Sequence, residues 1–171
     1  MKNTDRFHIF LDLDGVLALD QQIYWSNPKK WNPKLNQYGF DPKAVKVFND
    51  ICEITDAVIV LSSDWKDHYS VEQINEHFEF NGIASRISDT TPTLWGKSFF
   101  RLQELEECRA TEIKTYVHER EIKHFVAIDD LDLMPWLEGN FVHTPKSNEG
   151  IKQSGVKEKV LNIYKSIQNE K

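Results

Sequence analysis

Several common functional classes leave no trace in this chain. Only two cysteines, Cys52 and Cys108, occur in 171 residues. They show neither metal-ligand spacing nor a disulfide framework, which fits a reduced, cytoplasmic setting. No apolar stretch approaches the roughly 20 residues of a membrane span, so no membrane partner is expected. The N-terminus runs straight into a strand-like segment, and no signal peptide is visible. Internal repeats and low-complexity segments are also lacking. The six histidines (His8, His68, His77, His118, His124, His143) form no H-x-x-x-H pair or other ligand cluster. Basic residues are outnumbered. The net charge of −6 argues against a broad nucleic-acid-binding surface, though not against a local basic patch.

What is present begins at Phe7–Leu17, FHIFLDLDGVL. A short apolar run followed by a glycine turn suggests a buried strand of a parallel sheet. It ends in Asp12 and Asp14. Carboxylates at such a place are costly unless they bind a metal or do chemistry. Residues two apart on an extended chain face one side, so both aspartates can address one small object. Gly15 lets the chain turn sharply away.

Length predicts one domain, residues 1–171, with a real core. A small flap is expected at about residues 16–40. Within it, Gln21–Phe40 reads as an irregular loop. It holds Tyr24, Trp25, Trp31, Tyr38 and Phe40 beside Lys29, Lys30 and Lys34, and no acid. Its charge of +3 leaves −9 for the rest of a chain that totals −6.

Asp41-Pro42 starts a helix that ends near Thr55. Ala57–Leu61 is a second buried strand, followed by Ser62 and Ser63. A capping box at Ser70–Gln73 opens a helix that stops at Asn81-Gly82. Ile83–Ile87 reads as a weak strand and Thr111–Glu119 as a helix. His124–Ile128 is a further buried strand that ends in Asp129 and Asp130. Asn140–His143 is a last short strand, and an apolar stripe from Val156 to Ile167 marks a final helix. Strands alternating with helices predict an α/β fold, a doubly wound, Rossmann-like parallel sheet with helices on both faces. Ligands bind at the carboxyl ends of such strands, where Asp12, Asp14, Ser62, Ser63, Asp129 and Asp130 would meet.

This pattern resembles the haloacid dehalogenase (HAD) superfamily of phosphotransferases. The likeness spans about Phe7–Gly150 and rests on FLDLDGVL, VLSSDW and FVAIDDLD. More narrowly the chain is similar to the HAD domain of Swiss Army Knife RNA repair proteins, through SSDWK, RATEI at Arg109–Ile113 and TPKSNEGI. The resemblance implies a HAD-like fold with a minimal cap and a Mg²⁺-dependent phosphatase acting through an aspartyl-phosphate. Its substrate would be a nucleotide or a nucleic-acid phosphate end, such as an oligonucleotide 3′-end. Asp12 would be the nucleophile, and Asp14 the acid and then the base. Ser62 would bind a phosphoryl oxygen, with backbone N–H groups near Ser63 assisting. Asp12, the Asp14 backbone carbonyl and one or both of Asp129 and Asp130 would hold the metal.

For the basic residue that joins them, Lys97, Arg101, Arg109, Lys114 and Lys123 are candidates. Arg109 is preferred because it precedes its helix on the active side, and Lys97 comes next. Lys66 is read as a substrate contact or a solvated lysine. Trp25, Lys29 and Lys30 of the flap are read as substrate contacts. A phosphatase of small metabolites and a catalytically retired binding module are the alternatives.

Overall fold

The structure, a computed structural model, describes residues 5–19, 30–94 and 101–169. Five strands form a parallel sheet: β1 (Phe7–Leu11), β4 (Val58–Leu61), β5 (Ile87–Thr90), β6 (His124–Asp129) and β7 (Phe141–His143). Their order across the sheet is β5-β4-β1-β6-β7. The chain starts in the middle and winds outward twice, so the α/β, Rossmann-like expectation holds. β1 is buried along its whole length, as a strand covered on both faces should be.

The helices divide between the faces. One core cluster joins Phe7, Ile9 and Leu11 to residues of α1 (Pro42–Thr55), α2 (Val71–Phe80) and α4 (Val156–Asn169). The other joins Phe10, Val60 and Ala127 to Ala110, Ile113 and Tyr116 of α3 (Leu102–Glu119). Side-chain alternation along each strand decides which residue faces which helix.

The helix boundaries follow local chemistry. Asp41 caps α1 by accepting from the N–H groups of Lys43 and Ala44. Ser70 and Gln73 form the capping box of α2.

Three expectations need correction. The helix expected at Thr111–Glu119 begins at Leu102. The strand expected at Ile83–Ile87 lies at Ile87–Thr90. The described part of the flap is not irregular. Trp31–Asn32 (β2) and Gln37–Tyr38 (β3) pair as an antiparallel hairpin, and Trp31 meets the Tyr38 ring edge-on at 4.9 Å. Val16, Leu17, Leu35 and Phe40, all within the expected flap, belong to the core. Asn32 also anchors the hairpin to α2 through the His77 ring, 2.9 Å away. Among the described residues, no helix is long and apolar enough to cross a membrane.

Candidate active site

The register of the three central strands builds the site. Leu11 pairs with Leu61 on β4 and with Ile128 on β6. The next residue on each strand is Asp12, Ser62 and Asp129. The ladder continues through them: the Asp12 N–H donates to Ile128 O (3.0 Å) and the Ser62 N–H to Leu11 O (2.9 Å). By alternation all three side chains fall on the face of Phe10, Val60 and Ala127, the face that α3 covers.

Arg109 reaches them from α3. Its Nη1 donates to Asp12 Oδ1 (3.1 Å), Asp129 Oδ2 (2.9 Å) and the Ser62 carbonyl (2.6 Å). Its Nη2 donates to Asp64 Oδ1 (2.9 Å) in the short 3-10 helix Asp64–Asp67 after β4. The sequence-based reason for preferring Arg109 was wrong, because the residue lies mid-helix and not before the helix. A long side chain on the inner face of α3 spans the distance instead. Lys97 lies outside the described residues.

Asp12, Asp129 and Asp130 each offer a carboxylate oxygen, and these oxygens lie within 4.8 Å of one another. Hard oxygen donors of this kind suit Mg²⁺ better than a soft metal. The residues therefore fit a divalent cation. The electrostatics point the same way. Burial raises the pKa of Asp12, the neighbouring Asp129 raises it further, and Arg109 opposes both. Burial likewise raises Asp129 and Asp130, again against Arg109. On Arg109 burial disfavours the charge, but Asp129, Asp12 and Asp64 outweigh it and the group stays a cation. One guanidinium thus faces more carboxylate charge than it can neutralise.

Gly15 keeps the loop compact. Its φ is +68°, and an added Cβ would clash with the Asp130 carboxylate. Asp130 lies where a side chain at position 15 would go.

The carboxyl group of Asp14 stands apart from the three-carboxylate group. Its Oδ2 accepts from Trp65 Nε1 at 2.9 Å. Burial raises its pKa, while the indole bond pulls the other way. Beside it opens a cavity of about 470 Å³, lined among others by Asp14, Asp130, Tyr38, Trp65, Gln37 and Ser147. Among the described residues, the hydroxyls of Ser62 and Ser63 are buried without a hydrogen-bond partner. Ser63 Oγ lies near enough to Asp12 to favour its charged form, although the geometry is not that of a hydrogen bond.

Other expected contacts fall elsewhere. Lys66 is neither solvated nor turned to the cavity: its ammonium group is buried against Glu112 of α3. Lys30 sits half-buried at the hairpin base, its carbonyl accepting from the Gly39 N–H. Lys34 pairs with Glu76 on the surface (2.9 Å). Trp25 and Lys29 lie outside the described residues. Three residues escaped the sequence reading: Asp64 at Arg109, Trp65 at Asp14 and Glu112 at Lys66. The segments SSDWK and RATEI carried them, but nothing in their spacing said that they meet.

A family model described as the HAD domain in Swiss Army Knife RNA repair proteins matches residues 8–156. No curated protein and no solved structure matches the chain. The matched span contains Asp12, Ser62, Arg109, Asp129 and Asp130, which the sheet and α3 bring together, and Asp14 beside them. The chain belongs to the family of HAD domains found in Swiss Army Knife RNA repair proteins.

Proposed function

We propose that the protein is a Mg²⁺-dependent phosphatase that works through an aspartyl-phosphate on Asp12. The observation that supports this best is the buried Asp12 at the end of β1, held by Arg109 beside Asp129 and Asp130. One Asp12 oxygen accepts from Arg109, and in this reading the other attacks phosphorus. An acyl-phosphate forms as the ester oxygen leaves, which divides one hard step into two easier ones. Asp14, whose pKa burial raises above the ordinary carboxylate value, gives a proton to the departing oxygen. It then takes one from the water that attacks phosphorus, which frees Asp12 and releases phosphate. The unpartnered hydroxyls of Ser62 and Ser63 suit phosphoryl oxygens, as does the Arg109 guanidinium. A cation held by Asp12, Asp129, Asp130 and the Asp14 carbonyl would offset the anionic phosphate and screen the carboxylates.

The substrate we infer is a nucleotide or a nucleic-acid phosphate end. The family description points to RNA repair. The cavity beside Asp14 suits a nucleoside leaving group, because it is within the usual range for a small ligand and has Tyr38 and Trp65 in its wall. Aromatic walls stack on bases for about 1–3 kcal/mol each. One observation favours a small metabolite ester instead: Lys34 is already paired with Glu76 and so is not set aside for a polymer's phosphates. The deciding experiment measures kcat/KM for a 3′-phosphorylated oligonucleotide, a nucleoside monophosphate and p-nitrophenyl phosphate, with Mg²⁺. A clear preference for the first two, weakened in Tyr38→Ala, supports the nucleic-acid reading. Equal rates on all three leave a metabolite phosphatase, and no hydrolysis of any ester overturns the phosphatase reading.

A further inference from the structure

We propose that Lys66 and Glu112 are positioning residues that set how Arg109 presents itself to Asp12; as a statement about catalysis this rests on the phosphatase reading above. Both side chains are almost wholly buried, with exposures of 5% and 7%. Lys66 Nζ donates to Glu112 Oε2, to Thr91 Oγ1 (2.9 Å) and to the Pro92 carbonyl (3.1 Å). All three ammonium hydrogens are therefore committed within the protein, and none remains for a substrate. The other Glu112 oxygen accepts from the Leu94 N–H (3.1 Å), and the Cys108 thiol points at it from 3.8 Å. One ion pair thus ties together the 3-10 helix after β4, the loop after β5 and the middle of α3.

The location of this tie gives it meaning. Glu112 follows Arg109 by one helical turn, so the two project from neighbouring positions on α3. Lys66 and Asp64 share the same short 3-10 helix. Two ion pairs therefore run side by side between the same two elements: Asp64 to Arg109 and Lys66 to Glu112. The Asp64 side chain is 69% exposed, and a pair open to water holds geometry weakly. The buried pair is the rigid member. A buried ion pair seldom outdoes an apolar pair in stability, so its use here is geometric. It fixes the distance from α3 to the end of β4, and with it the reach of the guanidinium to Asp12, Asp129 and the Ser62 carbonyl.

The test compares Lys66→Met, Glu112→Gln and the double variant Lys66→Met/Glu112→Leu with wild type. Turnover is followed on p-nitrophenyl phosphate with Mg²⁺, together with the thermal midpoint and the Arg109 guanidinium NMR signals. Those signals are assigned by their loss in Arg109→Lys. Held by four acceptors, the Arg109 Nη hydrogens should exchange slowly in wild type. We expect kcat to fall ten- to a hundredfold in the single variants with KM changed less than threefold, and the Arg109 signals to broaden. The double variant fills the space with apolar groups. It should recover the wild-type midpoint within a few degrees yet remain slow and keep the broadened signals. Folded variants with kcat within threefold of wild type and sharp, unmoved Arg109 signals would overturn the proposal. So would a double variant that regains kcat together with its midpoint, since the pair would then act through stability alone. If wild type hydrolyses no phosphate ester, the phosphatase reading falls by itself. The NMR arm still decides the pair: unchanged Arg109 signals in the double variant reject it, and broadened ones uphold it.

Discussion

At Asp12, burial and the nearby Asp129 carboxylate work against a charge that Arg109 supports. Replacing Asp12 with asparagine keeps the size and the acceptor for Arg109 but removes the carboxylate proposed as nucleophile. Hydrolysis of p-nitrophenyl phosphate should fall by at least about a thousandfold, while circular dichroism and the thermal midpoint show a retained fold. Residual activity of a few per cent would exclude Asp12 from that role. Arg109→Ala differs in kind. It leaves two buried carboxylates without their common partner, a change that typically costs about 3–5 kcal/mol, so stability and activity should fall together, with Mg²⁺ restoring part of the stability. Gly15→Ala meets two obstacles at once, the positive φ and the Asp130 carboxylate in the place of the new methyl group. The backbone term alone is about 1–3 kcal/mol. A thermal midpoint equal to wild type in this variant would mean that the loop relaxes freely. Asp12, Ser62 and Asp129 were legible in the sequence because strand alternation and shared strand ends bring aspartates and serines to one place. Lys66 was not legible, since a lysine beside a site looks the same from the sequence whether it faces ligand or is locked inward.

Among the elements, those with a clean apolar period were read with small errors: β1, α1, β4, α2, β6 and α4. The failures have a common physical cause. The buried residues of α3 include Cys108, Arg109 and Glu112 as well as Ala110, Ile113 and Tyr116. A helix that turns charged groups inward has no simple apolar stripe to find. β5 is an edge strand in which only Ile87 is buried, so alternation carries little signal. β2 and β3 are two residues each, too short for any period. The hairpin they form is nonetheless tied to α2 by the Asn32–His77 bond, and this gives a pH dependence. Burial pushes the His77 pKa down to about 4 from 6.5, despite the nearby Tyr38 carbonyl, which favours the proton. The unfolded chain therefore takes up the proton first as pH falls. The stability contribution is intact above about pH 6.5 and is lost progressively down to about pH 4, by an amount on the order of 2–3 kcal/mol. The buried aspartates, with raised pKa values, act in the opposite direction, so the measurement must be a difference. Denaturant unfolding of wild type and His77→Gln at pH 7, 5.5 and 4.5 isolates it: wild type should lose more stability than the variant. Parallel curves would reject the assignment.

Across the whole molecule, charge links the ends of β1 and β6. Asp12 comes from the end of β1, and Asp129 and Asp130 from the end of β6. Only the folded chain gathers them, so a cation bound there stabilises the native state alone. Millimolar Mg²⁺ should raise the thermal midpoint of wild type by several degrees, and excess chelator should abolish phosphatase activity reversibly. An Asp129→Asn variant should show a much smaller Mg²⁺ shift. Full activity after exhaustive chelation would rule out the dependence. The sheet order also governs how the chain comes into being. β1 is central and needs both β4 and β6 at its sides, yet Phe7 pairs with His124. A ribosome that adds about 5–20 residues per second exposes β1 on the order of ten seconds before its second partner exists. During that interval one edge of a strand that the native fold buries along its whole length has no native neighbour, the kind of unpaired edge that chaperones shield. The same delay keeps the carboxylate cluster unassembled: a chain ending before β6 holds Asp12 without Asp129 and Asp130.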